Sequence, residues 1–239
     1  SIKFKDELND LINKQTIPIN ELSPKRKEYF TTAPEKNALM LSHKHLSDSD
    51  AVVLSERLGK TSHDALILSH NNIGDTGTIA ISNALKNNTS TNHLILSHNK
   101  ITDFAAAALA DMLKVNHFIG WLVLNNNKMG TTGALQLAEG IKVNTSIKHI
   151  VLAENNIESK GATKLFNAIK GKENIQSLFL QGNPIDNQCL TALKSCISDP
   201  NCQLRVIDLR DTKINELSPE LQGTAKEKNI RILINRSTH

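Results

Sequence analysis

The chain has 239 residues, of which 39% are hydrophobic and 22% are charged, so it can bury a sizeable core. Its 28 Lys and Arg residues are balanced by 24 Asp and Glu residues, and the net charge of +4 is mixed along the chain. This balance and the 3% content of aromatic residues argue against nucleic acid as a partner. No apolar run approaches the roughly 18 to 20 residues that cross a bilayer, so no membrane span is predicted.

Residues 1–35 are predicted to form an N-terminal helical cap. Phe4, Leu8, Leu11 and Ile12 share one helical face, which can cover the open end of a core. The alternative is that this helix binds a partner. The chain begins at Ser1 without a methionine, which suits a fragment of a longer protein.

Residues 36–214 repeat a unit of about 28 residues about seven times, and such a period is typical of a solenoid. Each unit contains two aliphatic residues, an asparagine and another aliphatic residue. The units open at Leu66, Leu94, Leu122, Ile150 and Leu178. The asparagines are Asn71, Asn99, Asn127, Asn155 and Asn183. Buried asparagines in this register are predicted to bond the backbone of adjacent turns rather than to do chemistry.

Each unit predicts a short strand, a turn and a helix. In the unit from Leu94, an aliphatic run is followed by Asn99 and then by a stretch of high helix propensity from Ala105 to Lys114. Residue types that cap helices recur at one position of the repeat, and we predict that they are N-caps. They are Asp48, Asp75, Asp103, Thr131, Ser159 and Asn187.

Residues 215–239 are predicted to form a C-terminal cap of one helix and a final strand. Ser218 is the expected N-cap, Pro219 the first helical residue, and Ile230 to Ile234 the strand. The segment from Ile214 to Pro219 leads into this helix, and its sequence is identical to that of Ile19 to Pro24.

The stretches Leu66 to Asp75 and Ala84 to Thr89 resemble leucine-rich repeats of the ribonuclease-inhibitor-like class. The resemblance covers roughly residues 36 to 214 and departs from the pattern at Lys44 and Thr212, which replace the asparagine. It implies an α/β solenoid in the shape of a horseshoe, with a parallel sheet on the concave face and helices on the convex face. It also implies that the chain binds proteins.

Two rows of side chains invite a chemical interpretation. Lys86, Lys114, Lys142 and Lys170 each fall in the last turn of a predicted helix, where a cation complements the helix dipole; docking of an acidic partner is the alternative. His43, His70 and His98 should form a short ladder past the strand ends. A straight ladder converges poorly on zinc, so we favour a polar surface over a metal site, with a pH-sensitive edge as the alternative.

Enzymatic chemistry is not indicated. The sequence has no phosphate loop and no recognisable cysteine–histidine motif, so we predict a protein that is not an enzyme and that needs no metal or cofactor. The three cysteines, Cys189, Cys196 and Cys202, do not form a disulfide framework and favour a reducing intracellular environment.

Alternation along each strand turns every second side chain to the concave face, where an apolar stripe is predicted to face solvent. The stripe comprises Met40, Ile67, Ile95, Val123, Val151 and Phe179 and stops at Asp208. Beside it run Ala38, Ala65, His93, Trp121, His149 and Ser177. Tryptophan is enriched in hot spots, so Trp121, flanked by His93 and His149, is the predicted centre of a partner-binding site that includes Ile67, Ile95, Val123, Val151 and Phe179. The alternative is that the stripe reflects β-propensity alone.

We therefore predict a monomeric, non-catalytic protein-interaction module. A composition rich in Lys, Asn and Ile is similar to that of leucine-rich-repeat effectors that bacteria deliver into host cells, which implies a host protein as the partner. Two alternatives stay open. One is a regulator of a partner enzyme, similar to the GTPase-activating proteins that share this repeat, and the other is the substrate-recognition part of a larger enzyme.

Overall fold

A computed structural model describes residues 16–18 and 37–236 of the chain. After a first strand, β1 (Thr16–Pro18), strands alternate with helices. The other strands are β2 (Asn37–Met40), β3 (Ala65–Ile67), β4 (His93–Ile95), β5 (Trp121–Val123), β6 (His149–Val151), β7 (Ser177–Phe179), β8 (Val206–Asp208) and β9 (Arg231–Leu233). The α-helices are α1 (Asp48–Arg57), α2 (Asp75–Leu85), α3 (Asp103–Val115), α4 (Gly130–Val143), α5 (Ser159–Ile169), α6 (Leu190–Ser198, preceded by a 3-10 turn at Asn187–Cys189) and α7 (Pro219–Glu227).

The strands form one sheet in chain order, from β1 to β9. The pair β1–β2 is antiparallel and every later pair is parallel, which confirms the predicted parallel sheet. The register pairs equivalent positions of successive repeats, such as Leu66 with Leu94 and Leu94 with Leu122. Like residues therefore lie side by side across the sheet.

The two predicted caps have different outcomes. The sequence predicts no strand within residues 1–35, but β1 lies there. The helical face from Phe4 to Ile12 lies outside the described residues. Helix α7 and strand β9 lie within residues 215–239, and Ser218 accepts a hydrogen bond from Leu221 N with Pro219 at the start of the helix, as the sequence predicts.

The main core lies between the sheet and the helices. The strand residues Leu66, Leu94 and Leu122 are fully buried against helix residues such as Ile81 and Leu109. Helices α3 and α4 approach so closely that a Cβ placed on Gly140 would lie 2.6 Å from the carbonyl oxygen of Ala110. Among the helices that the structure describes, none is both long and apolar enough to cross a membrane.

The five repeat asparagines bond adjacent turns, as predicted. The amide of Asn127 donates to Leu96 O and Leu124 O, at 3.0 Å each, while its oxygen accepts from Ile101 N at 3.0 Å. All five side chains are buried and donate both to their own turn and to the preceding one. Thr212, which replaces the asparagine in a later repeat, bonds only its own turn through its hydroxyl.

A second asparagine ladder lies at the opposite edge, where each helix returns to the sheet. Asn144 donates to Leu113 O at 2.9 Å and to Asn116 O at 2.7 Å, and accepts from Ile147 N. Asn116 makes the equivalent bonds one repeat earlier. Both edges of the solenoid are thus held by buried amides.

The prediction that the recurring Asp, Thr, Ser and Asn residues cap their own helices is wrong. In α1, α2, α3 and α5 the predicted residue is the first residue of the helix, and the N-cap is the residue before it, such as Ser47 or Thr102. Asp48 Oδ1 instead accepts from Gly74 N at 2.8 Å in the next repeat, and Thr131 and Ser159 make the same kind of bond. At the first helical turn these side chains reach the N–H of the following unit, so the ladder joins neighbouring repeats rather than capping its own helices.

We expect Asn127→Ala to lower the free energy of unfolding by about 1 to 3 kcal/mol, because it leaves buried backbone groups without a partner. Urea unfolding followed by circular dichroism measures the change. The control is Asn125→Ala, since the Asn125 amide bonds only the neighbouring Asn126 side chain. Equal midpoints for the two variants would contradict the ladder.

His63 occupies a buried position that is isoleucine in three later repeats, Ile119, Ile147 and Ile175. Both of its ring nitrogens lack a hydrogen-bond partner in the described part of the chain. Burial, followed by the nearby Arg57, lowers its pKa. We expect His63→Ile to raise stability by about 1 kcal/mol at neutral pH.

The gain from His63→Ile should grow as the pH falls below about 6.5, because the unfolded histidine then takes up a proton that the folded one resists. Thermal unfolding at two pH values measures it. His117→Ile is the control, since His117 is exposed and bonds Thr145. A loss of stability in His63→Ile would refute the interpretation.

Candidate protein-binding surface

The strand side chains that point away from the helices line a groove of about 920 Å³. Its floor contains Ile67, Ile95, Val123, Val151 and Phe179, one from each of strands β3 to β7, and Trp121 lies beside them. The sheet register places these residues next to one another. We call this surface the concave groove.

The floor is less exposed than the sequence predicts. Ile95, Val151 and Phe179 are partly exposed, whereas Ile67 and Val123 are almost buried. Near the first strands, Met40 and Ile67 pack with Ala38 and Ala65 in a small cluster separate from the main core. Neighbouring strands lie about 4.8 Å apart, so apolar side chains in register cover one another. The accessible part of the floor therefore lies toward Phe179.

The three predicted central residues form one stack. The Trp121 ring lies 3.8 Å from the His149 ring and 5.8 Å from the His93 ring, between centroids. His93 is only 1% exposed and lies 3.6 Å from the Asp64 carboxylate. Both faces of Trp121 are therefore covered by imidazoles, and only its edge is available to a partner.

The stack is uncharged at its exposed end at neutral pH. Burial lowers the pKa of His149 to about 4, with the charges of His93, Lys148 and Arg205 acting in the same direction. Its Nδ1 lies 2.9 Å from Ser177 Oγ. A neutral ring suits the apolar floor better than a cation would.

The predicted histidine ladder is present at the strand-end edge of the groove. His43, His70 and His98 stack with centroid distances of 4.3 and 4.1 Å and interplanar angles near 12°. All three have a positive φ, a conformation in which histidine is enriched. Burial and then the two neighbouring histidines lower the pKa of His70.

An ion pair ends the apolar floor. Asp208 occupies the next floor position after Phe179, and it is buried beneath Arg210. The guanidinium contacts both carboxylate oxygens, with Nη2 2.6 Å from Oδ2 and Nε 3.1 Å from Oδ1. The sequence shows that the stripe stops at Asp208, but it does not show this pairing.

The prediction that four lysines lie in the last turns of helices is confirmed for two of them. Lys114 and Lys142 fall in the last turns of α3 and α4, while Lys86 and Lys170 follow α2 and α5 directly. Lys114 pairs with Asp111 at 3.6 Å, and both are exposed. Such contacts contribute little to stability.

Other candidate chemistry is weak. In residues 16–18 and 37–236, no group of three or more His, Cys, Asp or Glu side chains is arranged to hold a metal ion. Burial raises the pKa of the Cys189 thiol to about 11 and that of Cys196 to about 12, so neither is a ready nucleophile.

Comparisons with known proteins agree with this architecture. The family model described as "Leucine Rich repeat" matches residues 65–82, 87–110 and 143–166. The fold is a leucine-rich-repeat solenoid. No curated protein sequence matches the chain. A similar solved structure is "Leiomodin-1 Actin-Binding Site 2 (ABS2)", with a TM-score of 0.50 and 17% identity over 70% of this chain and 88% of that one. At this identity the likeness shows the leucine-rich-repeat fold alone.

The low pKa of His149 predicts a specific loss of stability in acid. The folded protein keeps His149 neutral, whereas the unfolded chain gains a proton below about pH 6.5, so stability falls as the pH drops toward 4. Between pH 7 and pH 5 the native protein should lose about 1 kcal/mol more than His149→Gln, after allowance for partial exposure. Urea unfolding at both pH values measures the difference, and parallel pH dependences would contradict it.

Proposed function

We propose that the chain is a non-catalytic protein-interaction module that binds a partner protein in the concave groove. The observation that carries the proposal is the continuous apolar floor, partly exposed at Ile95, Val151 and Phe179, beside the neutral Trp121–His149 stack. An apolar patch rimmed by polar residues is typical of an interface.

The rim around this floor is polar on one side. Ser69, Ser97, Asn125 and Gln181 lie along one side of the groove. An apolar centre within a polar rim is the usual anatomy of a protein interface. Leucine-rich repeats commonly serve as protein-binding modules, and the similar solved structure is itself named as an actin-binding site.

Several finer predictions from the sequence stay predictions. They are the ribonuclease-inhibitor-like class, a monomeric state, a reducing intracellular location, and the role of a bacterial effector acting on a host protein. The alternatives of a GTPase regulator or a substrate reader also stay predictions, since no described feature favours either one.

Binding in the groove is tested by affinity capture from eukaryotic cell lysate, read by mass spectrometry. We expect the double variant Val151→Asp, Phe179→Asp to lose any partner that the native protein captures. The binding free energy should weaken by about 2 kcal/mol or more, because the substitutions place charges in the apolar centre of the groove. Trp121→Ala should weaken the same interaction, with some loss of stability because its ring is stacked.

The matched control is Val143→Asp, since Val143 is 50% exposed on the helical side. Circular dichroism verifies that each variant is folded. A partner that survives the groove variants and is lost with Val143→Asp would refute concave binding.

A further inference from the structure

We call the two long sides of the concave groove its banks. Both banks carry charged side chains near strands β6 and β8. Lys148 and Arg205 precede β6 and β8, are exposed, and lie close enough to His149 to lower its pKa. Glu154 and Asp211 follow the same two strands, are exposed, and share the positive-φ position at the strand ends. One bank is therefore basic, and the opposite bank is acidic apart from Arg210, whose charge is paired with that of Asp208.

None of these four side chains forms an ion pair in the described fold, although the charge of Asp211 acts on Arg210 and helps to raise its pKa. The ion pairs of residues 37–236 involve other side chains: His93 with Asp64, Lys114 with Asp111, Lys164 with Glu139, Lys194 with Glu220 and Arg210 with Asp208. Lys148 and Glu154 are six residues apart on either side of β6, a separation of at most about 20 Å. A helix with its side chains is about 10 to 12 Å wide and fits between the banks.

The spacing of the floor matches a helix better than a strand. Its apolar residues come one per strand, about 4.8 Å apart, and a helix presents one apolar side chain per turn of about 5.4 Å. An extended peptide turns a side chain to the floor only about every 6.8 Å and so falls out of step. From Ile95 to Phe179, the stretch of floor with partly exposed residues, the floor spans about 14 Å, the length of roughly 10 helical residues.

We infer that the concave groove binds an amphipathic helix of a partner protein, with acidic side chains facing Lys148 and Arg205 and basic side chains facing Glu154 and Asp211. This inference rests on the proposed function and specifies its partner. The apolar stripe of the helix ends at Phe179, since Asp208 and Arg210 form the next floor position. Turning a helix end for end exchanges its flanks, so the two banks also select its direction.

The test is a displayed library of 15-residue helices. Each helix carries a fixed leucine stripe, and its flanking positions vary among Glu, Lys, Gln and Ala. On the native protein we expect enrichment of helices with Glu on one flank and Lys on the other. On Lys148→Glu with Arg205→Glu, both banks are acidic, and enrichment should shift to Lys on both flanks.

Binding of resynthesised peptides gives the magnitude. A helix selected on the native protein should bind at least about tenfold more weakly to the reversed-bank variant. It should bind unchanged to the control Lys114→Glu with Lys142→Glu on the helical side, and it should be lost with Val151→Asp and Phe179→Asp.

The outcomes separate this inference from the proposed function. Helices that need the groove but show no flank preference, or the same preference on both proteins, overturn the helix orientation and leave concave binding standing. No enriched helix at all overturns the helix inference, and the captured partner's dependence on Val151 and Phe179 then decides concave binding separately. Enrichment that survives the groove variants overturns the inference as well.

Discussion

The structure depends on hydrogen bonding between successive turns through buried asparagine amides. Backbone groups at the ends of three-residue strands cannot all be satisfied by the sheet, and a buried unsatisfied group costs about 1 to 3 kcal/mol. Asn127 and its equivalents supply these bonds at the strand ends, while Asn116 and Asn144 supply them where helices return to the sheet. Each side chain joins one turn to the previous one, so the repeats stack in a single register.

That register creates the candidate site. Because equivalent residues pair across every parallel strand, a residue type repeated in the sequence becomes a row in space. One row forms the apolar floor, another the Trp121 stack, and a third the positive-φ edge that begins with the stacked histidines. The floor ends where Asp208 interrupts its row, and the charged banks appear where Glu154 and Asp211 replace the histidines of the edge.

Much of the fold can be predicted from the sequence. The order of the strands and the Asn71-to-Asn183 ladder depend only on the 28-residue period of the repeat. The alignment of Ile95 with Val123 depends in addition on the alternation of side chains along a β-strand. The predicted helix-cap ladder has the wrong partners, because a periodic pattern does not say whether Asp48 bonds its own repeat or the next. The second asparagine ladder is also visible in the sequence, where Asn88, Asn116 and Asn144 recur at equal spacing. The pattern stops at Lys172, so it is easily missed. Burial of Ile67 and Val123 depends on how neighbouring side chains cover one another, which alternation does not reveal.

The most direct test of concave binding is photo-crosslinking from two single positions of the native solenoid. A benzophenone side chain replaces Phe179 in the groove or Val143 on the helical side, and the folded proteins are irradiated in lysate. The account predicts a covalent adduct with a partner protein from position 179 and none from position 143. An adduct from position 143 alone would place the interface on the helices and contradict the account.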